Sequence, residues 1–216
     1  MKFKWLLLII AAQLLFGCAY FKKEKETEPA DILAVTGMEA YDKKDYKEAL
    51  AKFQQLKDWY PFSNYVVMAE LKIGDAHYYL KEYDQAILAY REFADLHPSN
   101  EAIPYVLYQI GRCYFDQIEA VDRDQSATQK ALTTFQRLQS QHPKSSYSDK
   151  ATEHINTCLK KLARSEYYIG FFYYKMGHYE AAIYRFKTLI KKYPDVGIHR
   201  EALIYIAKCE AYLAAK

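Results

Sequence analysis

The chain lacks every short motif that would give it obvious chemistry. Its 216 residues contain no Gly-x-Ser-x-Gly, no phosphate-binding loop, no His-Glu-x-x-His and no Cys-x-x-Cys, so the sequence offers no anchor for catalysis by these routes. It also has almost no excess of charge, with 30 Lys and Arg against 27 Asp and Glu. Removing residues 1–17 takes away only Lys2 and Lys4 and leaves 28 basic against 27 acidic residues, a net charge of +1. That balance argues against nucleic acid as a partner. A bilayer-spanning run is missing too: residues 5–16 are apolar apart from Gln13, and twelve residues are too few to cross a membrane.

The same twelve residues follow Lys2 and Lys4, a basic start and apolar middle that read as a signal peptide over residues 1–17. They lead into Leu15-Phe16-Gly17-Cys18. Leu-x-Gly-Cys resembles a bacterial lipobox, in which the cysteine is lipidated and becomes the mature N-terminus; Phe16 stands where a smaller residue is usual. Cys18 is therefore the expected site of a covalent lipid such as palmitate, and no other cofactor is expected. Ala19 in place of Asp argues against retention at the inner membrane. Several acyl chains together make a durable anchor where one is marginal. Residues 18–31 are charged and contain Pro29, as a tether should be, and residues 32–216 remain for one repeat domain.

Within that domain, Gly, Ala and Pro recur as landmarks. Gly37, Ala49 and Pro61 are spaced by 12 and 12 residues, as are Gly74, Ala86 and Pro98, and Gly170, Ala182 and Pro194. A further copy keeps Ala131 and Pro143 but places Gly111 20 residues before the alanine, an insertion of eight. Gly on a first helix and Ala on a second let two helices approach, and Pro ends the second. Apolar residues follow each alanine at offsets 1, 4 and 7, for example Leu50, Phe53 and Leu56, or Ile183, Phe186 and Leu189, one stripe of a helix. Tyr46, Tyr83 and Tyr179 mark the turns between helices. The reading is all-α: a TPR-like solenoid of helical hairpins, about five units long, whose last unit from Ala202 is a lone capping helix. Ser63 and Ser145 follow two of the prolines and are expected to cap the next helix.

Three cysteines remain after Cys18. Cys113 and Cys209 fall two residues after a first-helix landmark, so packed and reduced thiols are expected, a disulfide between different repeats being the alternative. His154 and Cys158 share a helical face, but two ligands without a third do not make a metal site. His77 is expected in the core, and His97 and His142 at helix C-termini. Tyrosine is abundant at 22 residues. In solenoids of this kind, positions four and five after the glycine point into the concave face; here they include Tyr41, Tyr78, Tyr79 and Phe115. With Tyr105, Tyr108 and Arg112 these form an expected client groove suited to extended or amphipathic peptides.

The lipobox, the P-x-S-x-Y links, the insert Asp122, Arg123, Asp124, Gln125, and the run from Leu162 to Asp195 together resemble the BamD family of outer-membrane lipoproteins, also called ComL or YfiO. That resemblance implies a non-enzymatic periplasmic scaffold of the β-barrel assembly machinery, anchored in the outer membrane of a Gram-negative bacterium. It would bind the POTRA region of BamA through C-terminal repeats, meet other lipoproteins of the complex, and engage unfolded outer-membrane protein segments through N-terminal repeats. Arg185, Lys191, Tyr193 and Asp195 fall in the implied BamA-facing region, and the helical offset of Arg185 from Ala182 predicts a guanidinium free to pair with another protein. The alternative is another repeat lipoprotein, such as a pilotin for secretin assembly, which would lack the insert and the long helix expected from about Ser148 to Met176. A cell-wall enzyme would need a cleft that no part of the sequence is left to build.

Overall fold

The computed structural model describes residues 28–215; the signal peptide, Cys18 and most of the tether lie outside them. Among the described residues, nine helices succeed one another: α1 Ala30–Asp42, α2 Tyr46–Trp59, α3 Val66–Tyr79, α4 Tyr83–Leu96, α5 Ile103–Phe115, α6 Ser126–Gln141, α7 Ser146–Lys175, α8 Tyr179–Lys192 and α9 His199–Ala214. Each packs on its sequence neighbours, and α7 also reaches α5 and α9. None is long and apolar enough to cross a membrane.

The glycine landmarks have a concrete use. A Cβ on Gly37 would stand 2.7 Å from the ring of Phe53, and one on Gly74 2.6 Å from that of Tyr90. Phe135 and Phe186 occupy Gly111 and Gly170 in the same way. The missing side chain of the first helix is thus filled by the aromatic four residues past the alanine on the second, and those rings are all fully buried.

A second pattern accounts for the cysteines. Ala69, Ile73 and Ala76 are buried on α3 at spacings of four and three. The same spacing recurs as Val106, Ile110 and Cys113 on α5, as Ala151, Ile155 and Cys158 on α7, and as Ala202, Ile206 and Cys209 on α9. This face packs each first helix on the preceding hairpin. The first half of α7 is therefore itself a first helix, whose partner second helix is absent; the chain runs straight on to the Gly170 unit instead. The helix spans 30 residues and joins the central core cluster, which contains Ile155 and Cys158, to the C-terminal one, which contains Ala163 and Phe186. All three cysteines are free and buried, and burial pushes the thiols of Cys113 and Cys158 up to about 12. They are packing residues.

Turn chemistry repeats as well. Lys44, Lys81 and Gly177 take left-handed φ values of 62°, 62° and 74°. In each turn the next residue's N–H reaches back to the first helix: Asp45 to Ala40, Glu82 to His77, His178 to Tyr173. This six-to-one bond is the Schellman closure. The third hairpin has no such residue, and residues 116–125 form the insert instead. Ser145 caps α7 by accepting from Tyr147 N–H, whereas Ser63 makes the same bond to Tyr65 inside a turn and does not itself cap α3. His77 is a correction: it sits half-buried with Nδ1 2.7 Å from Glu82 Oε2, outside the core. His97 and His142 end α4 and α6 as expected.

Candidate functional site

Asp75 organises the first-helix face. It is only 1% exposed, which requires partners for its charge. Tyr90 and Tyr105 donate their hydroxyls to Oδ1 at 2.7 and 2.6 Å, Lys72 Nζ reaches Oδ2 at 2.9 Å, and Tyr41 approaches at 3.5 Å. Lys72 also stands 4.2 Å over the Tyr41 ring. Burial first, and the charge of Asp75 second, raise the Tyr41, Tyr90 and Tyr105 hydroxyls well above the usual tyrosine range, so they remain donors. A second knot lies one repeat further on: Tyr78 donates to Asp116 at 2.6 Å and accepts from Arg112.

These bonds alter the expected groove. Tyr108 does not line it: at 9% exposure it is a core residue, its hydroxyl 3.1 Å from His154 Nε2 and its ring against Phe135. Phe115 is half-buried, its ring 4.5 Å from that of His154. Tyr79 is exposed on one side and stacked on Tyr46 at 4.6 Å on the other, as Tyr212 stacks on Tyr179 at 4.8 Å. Tyr41, Tyr78 and Tyr105 have their hydroxyls committed within the protein and offer rings and edges, whereas Arg112 spends Nη2 on Tyr78 and Asp116 and leaves its buried Nε without a partner among the described residues. What remains open is a depression of about 510 Å³ between α3, α5 and α7, with Leu71, Ala102, Tyr105 and Tyr147 as apolar lining and Lys72, Asp75 and Glu101 as charges. No group of residues that could hold a metal ion occurs among the described residues. His154 is instead stacked at 5.0 Å on Phe135.

Near the C-terminus Arg185 is a correction too. It is not free but pairs with Glu166 of α7 at 3.2 Å. Tyr193 lies beside the same carboxylate, and its hydroxyl is raised by burial and then by Glu166. Asp195 accepts from Gly197 N–H at 2.8 Å and shapes the turn, while Lys191 is exposed. The insert holds itself together: Asp124 accepts from Ser126 N–H and hydroxyl, and Gln125 donates to Ala120 O and Arg123 O. Asp122 and Arg123 are exposed. Asp75 and Glu166 were not singled out from the sequence; the available signal was a lone acid immediately after a landmark glycine, and an acid four before one.

Residues 26–216 match the sequence family described as YfiO, outer membrane lipoprotein. The chain is 33% identical over 209 residues to the outer membrane protein assembly factor BamD of Caulobacter vibrioides, covering 95% of this chain and 68% of that one. It is 30% identical over 207 residues to the BamD of Rickettsia prowazekii, covering 95% and 82%. Among solved structures, the TPR2AB domain of yeast Sti1 in its pHSP90 complex superposes with a TM-score of 0.54 at 15% identity, covering 86% of this chain and 71% of that one. That last likeness concerns the fold alone.

Proposed function

This chain belongs to the YfiO, or BamD, family of outer-membrane lipoproteins, and from that premise we propose how its repeats serve outer-membrane protein assembly. It is a non-enzymatic factor of the β-barrel assembly machinery at the outer membrane. The depression between α3, α5 and α7 receives extended segments of unfolded barrel precursors, with Leu71 and the rings of Tyr105 and Tyr147 burying alternate side chains and the exposed Tyr79, eight residues after Leu71, extending the same face of α3. The observation that carries this is the Asp75 knot: it fixes the Tyr41 and Tyr105 rings in place while using up their hydroxyls, so this part of the face is set before a client arrives. Leu71→Glu with Tyr79→Ala should weaken binding of peptides copied from the C-terminal strands of outer-membrane barrels about tenfold. Fluorescence anisotropy measures it, and unchanged affinity with unchanged circular dichroism would move the client elsewhere.

The BamA-facing region is the C-terminal half of α8 with its link to α9, carrying Arg185, Lys191, Tyr193 and Asp195, together with Glu166 of the facing α7, and it meets the POTRA region of that partner. Because Arg185 already pairs with Glu166, Arg185→Glu alone would set two carboxylates against each other. The charge swap Arg185→Glu with Glu166→Arg restores that internal pair. Loss of POTRA pull-down that persists in the swap supports a direct contact at Arg185; recovery of pull-down would assign the effect to the internal pair. The exposed Asp122 and Arg123 of the insert are available to other lipoproteins of the complex, and Cys18 carries the anchor. A pilotin is not favoured, because the insert and the long α7 are both present.

A further inference from the structure

Phe62 is 99% exposed, the most exposed large apolar side chain of the described residues, and it is flanked by Trp59 and Tyr65, each 44% exposed. The link that carries them is not loose. Ser63 N–H bonds Tyr60 O at 3.0 Å, Tyr65 N–H bonds Ser63 Oγ at 3.2 Å, and Val66 N–H bonds Ser63 O at 3.1 Å. The ring is therefore held out into solvent by a pinned turn.

The other links supply an internal control. Where the first has Phe62 after its proline, the later ones have Ser99, Lys144 and Asp195; where it has Trp59, two before the proline, they have Leu96, Gln141 and Lys192. The aromatic tip is confined to the first repeat. That repeat is the one next to the anchor. Gly37 of α1 faces Phe53 of α2, and the two helices are antiparallel with equal rise, so seven residues back along α1 and seven forward along α2 bring Ala30 level with Tyr60. The tether thus enters at the same end as the tip. Lys52 holds Glu28 at 2.8 Å, and nine residues separate Glu28 from Cys18, a reach of no more than about 35 Å.

We propose that Trp59, Phe62 and Tyr65 form a second membrane contact, inserting into the headgroup region of the outer membrane beside the lipid anchor and fixing the orientation of the solenoid on it. The occupant is a lipid surface because these three residue types are those that bilayer interfaces accept, with an apolar body and, for Trp and Tyr, a polar handle. One lipid-tethered point lets a protein swivel; two contacts at one end do not. The proposal rests on the outer-membrane lipoprotein reading above.

Trp59 itself is the probe, since the other tryptophan, Trp5, lies in the signal peptide and is absent from the mature protein. The mature lipoprotein is reconstituted into vesicles of phosphatidylethanolamine and phosphatidylglycerol with acyl chains brominated near the headgroup. Trp59 emission should shift to the blue and be quenched by the bromine. Phe62→Asp should abolish that quenching while flotation with vesicles and thermal melting stay unchanged, because Phe62 touches no core. In the unlipidated Cys18→Ala protein, Phe62→Asp should weaken vesicle partition about tenfold. Flotation with unquenched Trp59, or quenching that survives Phe62→Asp, overturns the proposal alone. Failure to float overturns the anchored reading and the proposal with it.

Discussion

Tyr90 touches two systems at once: its ring fills the space over Gly74, and its hydroxyl is tied to Asp75 and Gln109. It therefore cannot move aside as Phe53 can from Gly37. Gly74→Ala should cost more than Gly37→Ala, at the upper end of about 1 to 3 kcal/mol for an overpacked core, as read by urea unfolding. His154 offers a pH test. Burial, and then the nearby Arg112 charge, lower its pKa in the fold, so the unfolded chain binds the proton more readily. Stability from this group is present above the unfolded histidine pKa of about 6.5 and is lost as pH falls below it toward the folded value. Thermal melting followed from pH 7.5 to 5.5, limits set on either side of that ordinary pKa of about 6.5, should fall less steeply in His154→Phe than in the natural protein.

At the scale of elements, the turns separate backbone cost from packing cost. Gly177 has φ +74° and nothing within 4 Å of where a Cβ would lie, so Gly177→Ala should lose about 1 kcal/mol from conformation alone. Lys44 and Lys81 already bear that cost in the same turn. Urea midpoints of Gly177→Ala beside Lys81→Gly should move in opposite directions. The insert after α5 belongs to this scale too: without a left-handed residue to close the turn, the chain spends residues 116–125 before α6 can start.

The core of the described residues divides into three clusters, the first joining Leu33, Phe53 and Leu56 to Ala69 and Ile73 in the N-terminal repeats. A second runs from Ala86 to Leu162, and a third joins Ala163, Ala182, Phe186 and Ala202 to Cys209. The second and third communicate through α7 and Tyr193, so a defect in one should stay there, as in a nearest-neighbour solenoid. Ala182→Leu, at a fully buried contact, should raise hydrogen exchange in α8 and α9 and leave α3–α6 protected. Equal loss of protection across both regions would mean that the long helix couples them rigidly. On α9, the last described helix, Leu203 and Ile204 are exposed where their counterparts on α1, Leu33 and Ala34, are covered.

Local spacing determined a great deal by itself. Gly, Ala, aromatic and Pro at fixed offsets prescribe hairpins, because helix packing and chain breaking are decided within a few turns. The hairpins and the buried state of Cys113 and Cys209 were legible on that basis, and the family and the long α7 through the resemblance carried by the lipobox, the insert and the run from Leu162 to Asp195. The half-repeat in α7 was not, since Ala151, Ile155 and Cys158 carry no glycine or proline to mark them. Nor was the fate of individual polar groups. Whether Tyr108 faces a groove or a histidine, whether Arg185 is free or held by Glu166, and which hydroxyls converge on Asp75 depend on residues 15 to 46 positions apart meeting in space. Periodicity assigns a side chain to a face of its helix; only the neighbouring helix decides what that face meets.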